Sequence, residues 1–185
     1  QRDRKGVVLA GLTAGAISVY RTTSRVHLHT DDQNQARNAI AVISRDIRAA
    51  SPVRPTTDPA FLVATPTQAH FTANLDDSAR PNLVRLYVDE DLRIVEDATV
   101  PDEGYNEHGE LVWDTDNNAV VRYIAGYVVN DDDMPIFRYY DQNGGELGFS
   151  DDPCTGPDGG SVPPPCLQHH ARGQVTDVTL SLTVS

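Results

Sequence analysis

The sequence predicts an α+β protein in which a long N-terminal α-helix packs on an antiparallel β-sheet. Two observations predict it. Apolar residues recur at helical spacing up to Pro52, and beyond Pro52 they alternate at strand spacing with no helical stretch between the strands. Charge adds a third observation. Residues 1–54 carry nine Lys/Arg against four acids, a net of +5, while the rest carry six against 23, a net of −17. The split predicts two parts: a spine helix over 1–52 whose first half projects, and a globular head over 53–185 with acidic loops.

The helix comes first. Ala36, Ile40, Ile43, Ile47 and Ala50 step by four, three, four and three residues, which is one stripe of an α-helix. Ala36, Ile40, Ile43 and Ile47 are expected to anchor it to the sheet. No Gly or Pro interrupts from Ala16 to Ser51, and Pro52 ends the element by pushing its predecessor out of the α region. Upstream, Val7 to Tyr20 is uncharged, so residues 7–50 can form one helix about 66 Å long. A compact chain of 185 residues has a radius of gyration of only about 16 Å, so the front of such a helix projects. Its apolar surface then needs a membrane or other helices for shelter. Gly11 and Gly15 form a G-x-x-x-G pair that lets another helix approach, and with Ile17 and Tyr20 they are the expected helix contacts.

The strands follow in order. Phe61–Val63, His70–Ala73 and Leu83–Val88 alternate, and Leu92–Glu96 follows Val88 as the second arm of a hairpin. Ala119–Val129 and Pro135–Tyr140 read as further strands, with a tight turn at Asn143-Gly144, and Val175–Val184 makes the last. Residues 97–118, 130–134 and 148–173 read as acidic loops. Cys154 and Cys166 enclose eleven residues rich in Gly and Pro that have no core of their own. A disulfide there removes loop entropy worth roughly 3 kcal/mol and implies an extracytoplasmic head; the alternative is two free thiols in a cytosolic loop.

Composition excludes several classes. A net charge of −12 repels phosphate backbones, so no nucleic-acid partner is expected. No run of 18 apolar residues exists to span a bilayer. G-x-S-x-G, H-E-x-x-H, C-x-x-C, P-loop and G-x-G-x-x-G are all absent, so no enzyme activity is expected. His27 and His29 point to different faces of a helix, and His169-His170 near Cys166 lacks a further ligand. Calcium is the one cofactor considered, at Asp114–Asn118 or Asp141–Glu146, each only part of a calcium loop; Asp131–Asp133 reads as a solvated turn.

Gln35-Ala36-Arg37-Asn38-Ala39 leads into Ile43-Ser44-Arg45-Asp46-Ile47-Arg48, Tyr87-Val88-Asp89 precedes Leu92-Arg93, and Phe137-Arg138-Tyr139-Tyr140-Asp141 precedes Asn143-Gly144 and Leu147. In that order, with the terminal VTLSLTV, these segments resemble the minor pilins of type IV filaments and the minor pseudopilins of type II secretion, the J-type pseudopilin and W-type minor pilin above all. Gln1-Arg2-Asp3-Arg4-Lys5-Gly6 resembles the end of their basic leader, but Val7 follows and no acid occurs until Asp31, so the front of the family's apolar helix is expected to be missing.

The resemblance implies a pilin-like fold and a structural minor subunit of a type IV pilus or secretion pseudopilus. Such a subunit assembles through its N-terminal helix and primes assembly at the filament tip. Its implied partners are other minor and major pilins or pseudopilins, and the inner membrane before assembly if the full helix is present. Its implied location is extracytoplasmic. The alternative is a secreted or surface adhesin-like binding module outside any filament, with Tyr105, Trp113, Tyr123 and Tyr127 supplying contacts unless strands bury them.

Overall fold

A computed structural model describes residues 33–53, 59–75, 80–102, 111–114, 119–126, 128–130, 134–156 and 160–183. The described residues are mainly antiparallel β, preceded by a helix, α1, over residues 33–48. Five strands follow as a meander in the order β1-β2-β3-β4-β5: β1 (Phe61–Ala64), β2 (Gln68–Ala73), β3 (Asn82–Val88), β4 (Ile94–Thr99) and β5 (Ala119–Ala125). Then come β6 (Phe137–Tyr140), the short pair β7 (Cys154–Thr155) and β8 (Ser161–Val162), the one-turn helix α2 (His169–Arg172), and β9 (Asp177–Leu180). β6 pairs with β9, joining segments that are far apart in sequence.

The expected long N-terminal helix packed on the sheet is therefore corrected: among the described residues, the helix that shares the sheet's core covers 33–48. Its described part spans about 24 Å. Its end is fixed by a change of partner. Asn74 donates its N–H to Ala49 O at 3.3 Å, Ser51 to Thr72 O at 2.8 Å, and Ala50 bridges Ala73, so the chain leaves the helix by joining the end of β2. The segment 7–20, with Gly11, Gly15, Ile17 and Tyr20, lies outside the described residues.

Period-two alternation builds one core. Ala69 and Phe71 of β2 face the same side as Val84 and Leu86 of β3, and that side meets Ala39 and Ile43 of α1. The second sheet closes the core from the side. Phe137 and Tyr139 point inward while Arg138 and Tyr140 alternate outward. The Tyr139 ring packs edge-on to Phe61 at 5.8 Å and to Phe149 at 6.0 Å, and its hydroxyl donates to Gln68 O at 3.1 Å. The opposite face of the meander is covered as well, since Leu83, Val95, Thr72 and Thr99 are all buried. This two-sided burial makes β3 an almost continuous apolar run.

Several boundaries differ from expectation. β4 continues to Thr99, three residues into the expected loop, because Asp97 pairs with Arg85 directly across from it on β3. β5 stops at Ala125 and β9 spans only Asp177–Leu180. The expected loop 148–173 contains β7, β8 and α2.

Candidate functional site

Two surfaces concentrate the polar and exposed features: the seam where α1 meets β4 and β5, and the outer edge of β5. On α1 the buried line runs through Ala39, Ile43 and Asp46, again in steps of four and three. Ile43 is fully in the core, and Ala36 and Ile47 are half-buried. Ile40 departs from its expected core position: it is 36% exposed because it lies about 100° around the helix from buried Ala39. Spacing alone left the stripe's phase open by one residue, and the buried acid Asp46 was invisible to a count of apolar residues.

Asp46 has no solvent exposure. Arg45 donates Nε to Asp46 Oδ1 at 2.7 Å and brings Nη2 within 2.6 Å of the same oxygen. Glu96 of β4 stands opposite Arg122 of β5 in register, and Arg122 donates to Glu96 Oε2 at 2.5 Å. Arg122 also approaches Asp46 Oδ2 at 3.6 Å. Burial, then a hydrogen bond with Asp46, raises the Glu96 carboxyl above the ordinary glutamate range, partly offset by Arg122. Ser44-Arg45-Asp46-Ile47-Arg48 thus supplies the acid that reaches Glu96 and Arg122 on the sheet.

β5 is an edge strand of the meander, and no strand pairs with its outer side among the described residues. It exposes Val120 at 67%, Val121 at 53% and Tyr123 at 61%, alternating between its two faces. Arg93 lies over the Tyr123 ring at 4.4 Å and is itself held by Asp89 and Asp91. Of the aromatics considered for surface contacts, Tyr123 is exposed, while Trp113 is half-buried and donates its indole N–H to Pro81 O at 3.3 Å. Tyr105 and Tyr127 lie outside the described residues.

The remaining candidates resolve locally. Cys154 and Cys166 form a disulfide with a Cα–Cα distance of 6.2 Å. The Asp141 carboxylate accepts the N–H groups of Asn143 at 2.8 Å and Gly145 at 2.9 Å, and Tyr140 bridges Glu146, so this acidic loop is a hairpin turn closed on itself. Gly144 takes the left-handed conformation there, at φ 76°, which explains the Asn-Gly pair. Those two N–H groups hold the Asp141 carboxyl below the usual aspartate range. Among the described residues no three His, Cys, Asp or Glu side chains gather as metal ligands, and no helix is long and apolar enough to cross a membrane. Asp131–Asp133, Asp116 and both His27 and His29 lie outside the described residues. His169 and His170 are exposed on α2. No protein-family model, curated protein or solved structure matches this chain.

Proposed function

We propose that this chain is a minor subunit of a type IV filament, either a pilus or a type II secretion pseudopilus, working by assembly with other subunits rather than by catalysis. The observation that carries the reading is the placement of Ser44-Arg45-Asp46-Ile47-Arg48. This segment ends α1, and Asp46 and Ile43 fasten it to an antiparallel sheet. A β head held by one helix end suits a subunit whose preceding residues are held by something else. The uncharged stretch 7–20, with its G-x-x-x-G pair, supplies apolar surface for that role, at about 25 cal/mol per Å² buried. The disulfide suits an extracytoplasmic head.

Co-expression with the other minor subunits of a type IV or type II assembly tests the reading. The full chain is expected to co-purify with at least one of them, and a Gly11→Leu, Gly15→Leu double variant to lose that association while its head still folds. A chain that stays monomeric with every such partner refutes it. A second reading, an adhesin-like module outside any filament, is favoured by the exposed Val120, Val121 and Tyr123 on β5. It predicts surface binding that survives removal of residues 1–32.

A further inference from the structure

The seam between α1, β4 and β5 buries two acids against each other. Asp46 is 0% exposed and Glu96 is 4% exposed. The charged groups facing them are Arg45 from α1 itself and Arg122 from β5. Arg45 directs its N–H groups to Asp46 Oδ1, and Arg122 directs its own to Glu96. At 3.6 Å, Arg122 is too far from Asp46 Oδ2 for a hydrogen bond, so Oδ2 has no N–H donor among the described residues. One Arg122 nitrogen lies 2.5 Å from Glu96 Oε2 and 3.6 Å from Asp46 Oδ2, so the two buried carboxyls are neighbours across the seam. Two ionised carboxylates only accept, so a proton kept on Glu96 gives Oδ2 the donor that it lacks.

We infer that Glu96 keeps a proton and directs it to Asp46 across the helix–sheet seam, and that its loss as pH rises loosens α1 from the sheet. The seam is then a pH-sensitive clamp. It rests on the buried geometry and not on the filament reading. With the proton in place, Arg45 and Arg122 face a single negative charge and Asp46 Oδ2 has a donor. Without it, two buried carboxylates face each other, and their repulsion is less screened than on an open surface. Glu96 binds its proton more tightly in the folded state than in the unfolded chain. The stabilisation is therefore fully present below the ordinary glutamate value of about 4.3 and is lost as pH rises from there through the raised folded value.

Denaturant unfolding of the full chain from pH 4 to pH 8, compared with Glu96→Gln, tests this. The glutamine amide still donates to Asp46 and still accepts from Arg122, but does not titrate. The wild-type folding constant is expected to fall with rising pH by up to about tenfold per unit within that window, beyond any change shared with the variant. A constant difference between the two proteins across the range overturns the inference. Carbon-13 titration of the Glu96 carboxyl in the wild type decides the matter even if Glu96→Gln fails to fold: a midpoint at or below about 4.3 refutes the retained proton. Hydrogen-exchange protection of residues 39–46, corrected for the intrinsic rate, is expected to drop over the same window. Unchanged protection while the carboxyl titrates refutes the clamp.

Discussion

Two isoleucines three residues apart on α1 offer a sharp test of the packing. Ile43 is 1% exposed and sits in the core with Phe71, Val84 and Leu86, whereas Ile40 is 36% exposed. Ile43→Ala removes three buried carbons, about 2.4 kcal/mol at roughly 0.8 kcal/mol each. The sheet beneath cannot close the gap fully, and the cavity brings the loss to about 3–4 kcal/mol. Alanine's better helix propensity returns about 0.4 kcal/mol. Ile40→Ala has identical chemistry, but much of its side chain already meets water, so about 1 kcal/mol is expected. Urea unfolding at matched slopes measures the difference, which is expected to be about 2 kcal/mol or more. In a domain this size that separates the melting temperatures by about 4–8 °C. Equal losses at the two positions, or a larger loss at Ile40, would refute the assigned helix phase.

Other outcomes follow from the same structure. Replacing both Cys154 and Cys166 by Ser is expected to cost about 3 kcal/mol by chain entropy, measured by denaturation under non-reducing conditions; an unchanged midpoint rejects the cross-link. Leu92 is half exposed yet holds φ 59° in the turn between β3 and β4, so Leu92→Asn is expected to raise stability by about 0.5–1 kcal/mol. A loss of stability would show that its side chain matters more than its backbone. The Asp141 turn stabilises above the ordinary aspartate range and loses that contribution as pH falls through the depressed folded value. Carbon-13 titration should place that carboxyl below about 3.9, and a higher midpoint removes the turn's role.

Much of the meander was legible in the sequence because alternation is a strong signal where one face is buried. The hairpin of β3 and β4 and the inward pair Phe137 and Tyr139 are both written in period two. The seam was not legible. Asp46 finds its partners Glu96 and Arg122 on strands 50 and 76 residues further along, and nothing local marks an acid as buried. The polar stretch of β4 was cut short for a related reason, since Asp97 belongs to the strand only through Arg85 across the ladder. β7 and β8 are two residues each, too short for any periodicity, and they are ordered beside a covalent bond rather than by an apolar pattern. Where the fold depends on distant pairing, the sequence carries the residues but not their meeting.

The half-cystines have a further consequence for how this molecule can change. Both are buried. Ser150 and Cys166 exchange backbone hydrogen bonds, Leu167 N–H reaches Ala64 O at 2.8 Å, and Arg172 reaches Thr155 O at 3.1 Å. The eleven residues between them therefore begin and end at two fixed posts 6.2 Å apart. Lengthening such a span costs only about 0.6 kcal/mol per doubling. That stretch is a natural cassette: a foreign peptide grafted between β7 and β8 leaves the register of the five-stranded meander and of the β6–β9 pair unchanged.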